Sequence, residues 1–192
     1  MLLAQGGAIT LPHEDAFGDD TYLVNYAGDV GFGWISRPTS EERKRFSHNL
    51  SVPLEKARFS VLRCGEAVFV RGGTIHFIFR LPFSNNTLMF GGHILRWSGL
   101  ENSLEVALRH FENPDTTNED CQQHHLQIIL EVKSIVGLQK NDNVEIEWLG
   151  GPEGRQRVLR LCQVSQRFLD AVIANRLSTQ DVIRKMKARL NS

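Results

Sequence analysis

The chain reads as an α+β protein built on antiparallel sheet, and three observations predict this. Between residues 57 and 98, apolar and polar residues alternate with period two across segments separated by Gly72-Gly73 and Gly91-Gly92. A second set of alternating residues, Leu126, Ile128, Leu130 and Val132 followed by Val144, Ile146 and Trp148, flanks the turn-forming Lys140-Asn141-Asp142-Asn143. Residues 100–111 and the C-terminal tail instead carry apolar residues at helical spacing. The reading is therefore an antiparallel β-meander over about 57–98, a second hairpin over about 126–162, a few packing helices and a basic amphipathic C-terminal helix.

Taken in order, Thr21–Tyr26 and Gly31–Ser36 are candidate strands joined by a hairpin-like Gly28-Asp29. Thr39 and Glu42 have capping-box spacing, which predicts a helix over Ser40–His48 with a solvated Glu41–Arg45 stretch; Pro53 prevents its continuation. Strands then follow at Ala57–Cys64, Glu66–Arg71 and Thr74–Leu81. Treating Gly72-Gly73 as a two-residue hairpin turn sets the register. Val70 then faces Ile75 and Val68 faces Phe77, so Val68, Val70, Ile75, Phe77, Phe79 and Leu81 form a core face.

The opposite face would carry Ala67, Phe69, Arg71, Thr74, His76, Ile78 and Arg80, too apolar for plain surface and too charged for a core. Phe69, Arg71, His76, Ile78 and Arg80 are accordingly the candidate interaction surface. Thr87–Ser98 returns as a strand bulged at Gly91-Gly92, and Leu104, Ala107, Leu108 and Phe111 predict a helix that Asn113-Pro114 ends. Arg155–Val164 can pair back as a strand or open, through Val158, Leu161 and Cys162, a helix continuing to Arg176, and the strand is favoured; Phe168, Leu169, Val172 and Ile173 are read as a helix face, and Ser178 with Asp181 as the start of a last helix. The domain reading is one α+β domain over 1–177, with 178–192 as a basic helix docked on it.

With 192 residues, 41% apolar and 23% charged, the chain can bury a core without staples. It carries neither a signal-peptide pattern at its first residues nor an apolar run long enough for a membrane span, and Cys64, Cys121 and Cys162 are odd in number and widely spaced. A cytoplasmic protein with reduced thiols is expected, Cys64 and Cys162 being small core residues. Net charge is zero, yet it is unevenly placed: residues 1–36 hold five acids and no Lys or Arg, whereas Arg155–Ser192 carries a net charge of +7.

The sites that could carry chemistry are few. His110, Cys121, His124 and His125 form the densest set of potential metal ligands, but the second pair of a structural zinc site is missing. Glu14-Asp15 and Asp19-Asp20 could hold a hard cation through carboxylate oxygens, and equally form an exposed acidic turn. The glycine pairs lack phosphate-loop spacing. Arg184, Lys185, Lys187 and Arg189 ring a short helix suited to nucleic acid or an anionic membrane surface.

No cofactor is implied. The leading expectation is a non-enzymatic interaction or self-assembly protein, of a structural or matrix-like viral, adaptor or toxin-neutralising type, with another protein or a second copy as partner. Its acidic front and basic back could meet head to tail. Two alternatives remain open: an anion binder using the tail, and a metal-dependent enzyme around His110, Cys121 and His124.

Overall fold

The computed structural model describes residues 1–81, 85–118, 127, 131, 134 and 151–174. The chain is α+β with antiparallel sheets, and it divides into two compact units, Met1–Asp120 and Cys121–Ser192.

The first unit holds eight strands: β1 (Leu2–Ala4), β2 (Ile9–His13), β3 (Asp20–Ala27), β4 (Val30–Ile35), β5 (Ala57–Leu62), β6 (Ala67–Val70), β7 (His76–Phe79) and β8 (Thr87–Ile94). Helices α1 (Ser40–Asn49) and α2 (Leu100–Glu112) complete it. The strands form two four-stranded sheets, ordered β1-β8-β3-β6 and β2-β7-β4-β5. The first strand pairs with the eighth, the second with the seventh, the third with the sixth and the fourth with the fifth. One long antiparallel ribbon is thus rolled into a two-layer sandwich, which is a jelly roll.

The strands predicted between 57 and 98 form where they were expected, but they are not a meander. Consecutive strands β6 and β7 lie in different sheets: Val70 pairs with Thr21, not Ile75, and Phe77 lies opposite Gly33, not Val68. The reason sits in the glycines. A Cβ on Gly72 would lie 1.8 Å from the carbonyl oxygen of Gly18, so the pair serves a close backbone crossing from one sheet to the other. Gly28, at φ 71°, likewise links β3 to β4 across sheets and not within a hairpin.

The crossing also changes which side chains are inside. Leu23, Val68, Val70 and Met89 from one sheet meet Val30, Phe32, Trp34, Leu62 and Ile78 from the other in the core between the layers. Ile75 shares the outer side of its sheet with Phe77 and Phe79, where α1 covers it: Ile35, Ile75 and Phe46 pack there with Val52 and Ala57. Cys64, read as core, is exposed and donates to the Tyr26 carbonyl at 3.0 Å; Cys162 is half-buried.

Helix α1 starts as its sequence predicts. The Thr39 hydroxyl accepts from the Glu42 amide at 3.2 Å, and the Glu42 carboxylate accepts from the Thr39 amide at 2.6 Å. Glu42 is not a solvated residue, however, because Lys56 donates to the same oxygen at 2.6 Å. These two donors, Lys56 first, hold its carboxyl down at about 2.

In the second unit, Gly151–Ala174 is a helix, α3, where a strand was expected over 155–164. Val158, Leu161, Val164 and Phe168 recur at intervals of three and four and are all buried, so the helical period outweighs the β-branched residues. Of the expected strand over 126–136, Gln127, Glu131 and Ser134 are described, and all three are helical. The remainder of the proposed second hairpin and the 178–192 helix lie outside the described residues. No helix among those described is long and apolar enough to cross a membrane.

Candidate metal centre

Strand β2 ends on His13 and β7 begins on His76, and the two residues are cross-strand partners. A register shift between Thr10 and His13 brings His13 onto the same side as His76, in the space between the sheets, where the ring centroids lie 4.3 Å apart. Phe32 stacks on His76 at 5.4 Å. Asp15 follows His13 by two residues, so it returns to the same side of the chain. Its Oδ1 lies 3.7 Å from Nε2 of His13 and 3.5 Å from Nε2 of His76. One donor atom from each of the three residues falls within 4.8 Å of the others, the only such grouping of three among the described residues.

The other ring nitrogens are already engaged. Nδ1 of His13 lies 2.8 Å from the Leu11 carbonyl, and Nδ1 of His76 lies 3.0 Å from the Thr74 carbonyl. A carbonyl only accepts, so each Nδ1 carries a proton, and it is the Nε2 atom of each ring that faces the Asp15 carboxylate. Burial, then the neighbouring His76, pushes the His13 pKa below its ordinary 6.5.

Glu14, between the two ligand candidates, points the opposite way and is 1% exposed. Its carboxylate accepts from Arg109 of α2 at 3.1 and 3.2 Å and lies 3.4 Å from Arg43 of α1 and 3.5 Å from His110. Burial alone would raise the Glu14 pKa; the His110 hydrogen bond and the Arg109 charge override it and hold the carboxyl below its usual range. The Glu14 amide donates to the Thr116 carbonyl at 2.9 Å, and the Ser103 hydroxyl donates to that of Phe17. Helix α2 is therefore a backing for the segment that carries His13 and Asp15. Beside the three donors lies a cavity of about 230 Å³, lined among others by Thr10, Thr21, Leu23, Ile78 and His93.

The residues predicted as an interaction surface are split by this arrangement. Phe69 and Arg71 are exposed, whereas His76, Ile78 and Arg80 face inward from the other sheet, each at most 5% exposed. Arg80 donates to the Thr87 hydroxyl at 3.0 Å, and burial lowers its pKa. His110 is 3% exposed and faces Glu14. Cys121, His124, His125, Arg184, Lys185, Lys187 and Arg189 lie outside the described residues.

Sequence reasoning passed over His13 and read Glu14-Asp15 either as carboxylates for a hard cation or as an exposed acidic turn. The available signal was the spacing: His13 and Asp15 are two residues apart at the end of an alternating segment, which puts them on one side with Glu14 on the other.

No family model matches the chain, and no curated protein matches it. Among solved structures it is similar to the Drosophila melanogaster CENP-C cupin domain, with TM-score 0.33 and 12% identity over 47% of this chain and 56% of that one. It is similar also to hydroxypropylphosphonic acid epoxidase from S. wedmorenis in complex with fosfomycin, with TM-score 0.30 and 11% identity over 46% and 35%. A third is Peruvianin-I, a cysteine peptidase from Thevetia peruviana latex, with TM-score 0.32 and 12% identity over 48% and 52%. The chain thus spans between about a third and three-fifths of these proteins, and the likenesses carry no argument about function.

Proposed function

We propose that the protein is a mononuclear metalloprotein of the non-haem iron type, with His13, Asp15 and His76 as its protein ligands. Two imidazoles and one carboxylate supplied from one side leave the remaining positions of the ion open, the arrangement associated with iron(II) oxygenases. The observation that carries this reading is the convergence of two Nε2 atoms on the Asp15 carboxylate while both Nδ1 atoms are tied to backbone carbonyls. Metal-ligating histidines characteristically donate their other ring N–H in this way, which fixes the ring orientation.

Bound there, iron(II) supplies open coordination positions and one-electron redox chemistry. The chain's own contribution is to hold the ligands and shape what approaches them. The carbonyls of Leu11 and Thr74 fix the ring orientations and raise the basicity of Nε2. Leu23 and Ile78 make part of the adjoining cavity apolar, and Thr10, Thr21 and His93 offer polar groups at its wall. At about 230 Å³ it accepts a compact organic molecule, or one side chain of a larger one. The reaction class that fits is metal-dependent oxidation of such a substrate. A metalloenzyme was one of the alternatives the sequence left open, though centred on His110, Cys121 and His124.

The test is metal loading of protein made without a histidine tag, using anaerobic iron(II) and, as a spectroscopic probe, cobalt(II). One equivalent should bind, and His13→Ala, Asp15→Ala and His76→Ala should each abolish binding while leaving the circular dichroism spectrum unchanged. Failure of the natural sequence to bind either ion, or unchanged binding by all three variants, would remove the proposal.

A further inference from the structure

The outer side of the β2-β7-β4-β5 sheet is apolar from edge to edge. The register aligns Ile9, Phe79, Gly31 and Val61 in one row across the four strands, and Phe77, Gly33 and Phe59 in the next, with Leu11 adjacent on β2. None of these residues is ionisable. A Cβ on Gly31 or Gly33 would lie 2.2 Å from the ring of Phe79 or Phe77, so the two rings lie across β4 and level the surface. Phe77 stacks on Phe79 at 6.3 Å, and Phe59 meets Phe79 edge-on at 5.7 Å.

Helix α1 covers only the end of this side, over Ile35 and Ile75. Beyond it, Ile9 is 67%, Leu11 74%, Phe59 64% and Val61 42% exposed. Taking roughly 150–250 Å² for a side chain of aromatic size, the open apolar area is on the order of 500 Å². That is at the upper end of what a monomer leaves uncovered, about 300–600 Å². Two such areas together reach the ~1,000 Å² that a specific interface needs.

We infer that this side is a self-association surface, on which a second copy of the chain stacks the same sheet about a two-fold axis. A flat, uncharged patch is complementary to itself, and face-to-face sheets pack at about 10 Å with side chains interdigitating. The acidic front and basic back of the sequence are not needed for this contact.

The experiment is light scattering coupled to size exclusion on the full chain, from low micromolar concentration upward and at low and high salt. The expected mass is twice 21.8 kDa, with a dissociation constant that salt leaves unchanged. Phe59→Lys and, separately, Leu11→Glu should give monomers with unaltered circular dichroism, and Phe69→Lys, on the other sheet, should remain dimeric. A monomer at every concentration, including one whose own remaining chain covers the patch, would overturn the inference. So would dimers that survive both Phe59→Lys and Leu11→Glu, or that dissociate equally with Phe69→Lys. Because metal loading is read separately, these outcomes leave the reading of His13, Asp15 and His76 untouched.

Discussion

Glu14 and Arg109 join the segment that carries His13 and Asp15 to the helix behind it, with both carboxylate oxygens accepting from one guanidinium nitrogen at 3.1 and 3.2 Å. Glu14 points to the side opposite its two neighbours, so its anchoring braces them. On the proposed reading, this buried carboxylate would act on an ion it never touches.

Glu14→Gln should therefore weaken cobalt(II) binding by about tenfold or more, the range seen when groups that orient ligands are lost. Titration followed by the cobalt absorption bands checks this, with urea unfolding to show that the variant is folded. Affinity equal to that of the natural protein would mean that the strand holds its ligands unaided.

Proton competition gives a second expectation. Burial lowers the His13 pKa, so proton competition at this ring should set in only below its ordinary 6.5. An NMR titration of the His13 ring in the metal-free protein checks this, and a midpoint at or above 6.5 would contradict its burial.

At the crossing of the two sheets, Gly72→Ala places a methyl 1.8 Å from a backbone oxygen of Gly18, which has no flexible end to give way. The cost should be at least ~1–3 kcal/mol, the usual range for overpacking. Chemical denaturation measures it, and a stability unchanged from the parent would mean that the two loops separate freely.

Acid sensitivity should be traceable to α1. With its folded pKa depressed to about 2 from an ordinary 4.5, Glu42 contributes stability in full above 4.5, which is lost as pH falls toward 2. In Lys56→Met that portion of the decline in melting temperature should shrink. Thr39→Ala, which removes one half of the capping box, should cost about 0.5–2 kcal/mol at neutral pH.

Local signals were legible where the physics is local. The Thr39–Glu42 cap, the ends of α2 and the positions of β3 to β8 follow from spacing and turn residues, and the structure has them. Partner choice did not follow, because Gly72-Gly73 is compatible with both a hairpin and a crossing, and only the distant Gly18 distinguishes them. That single ambiguity exchanged the inner and outer sides of β7, concealed His76 in a supposed surface and separated it from Phe69. Arg155–Val164 was ambiguous for a different reason: a ten-residue stretch fits strand or helix, and it is the three-and-four spacing of Val158, Leu161 and Val164 continuing to Phe168 that decides for the helix. The proposed triad combines His13 and Asp15 with a residue 61 positions beyond Asp15, a proximity that the rolled ribbon creates.

Pairing β1 with β8 and β2 with β7 has a consequence for synthesis. As the chain leaves the ribosome, residues 2–13 emerge well before residues 76–94, with which they pair. Their apolar strands must wait through most of the first unit's translation, which makes this a slowly closing architecture whose waiting strands are vulnerable to sticking elsewhere. Nascent copies thus pass through a stage at which His13 and Asp15 are present without the third arm that would let them retain an ion.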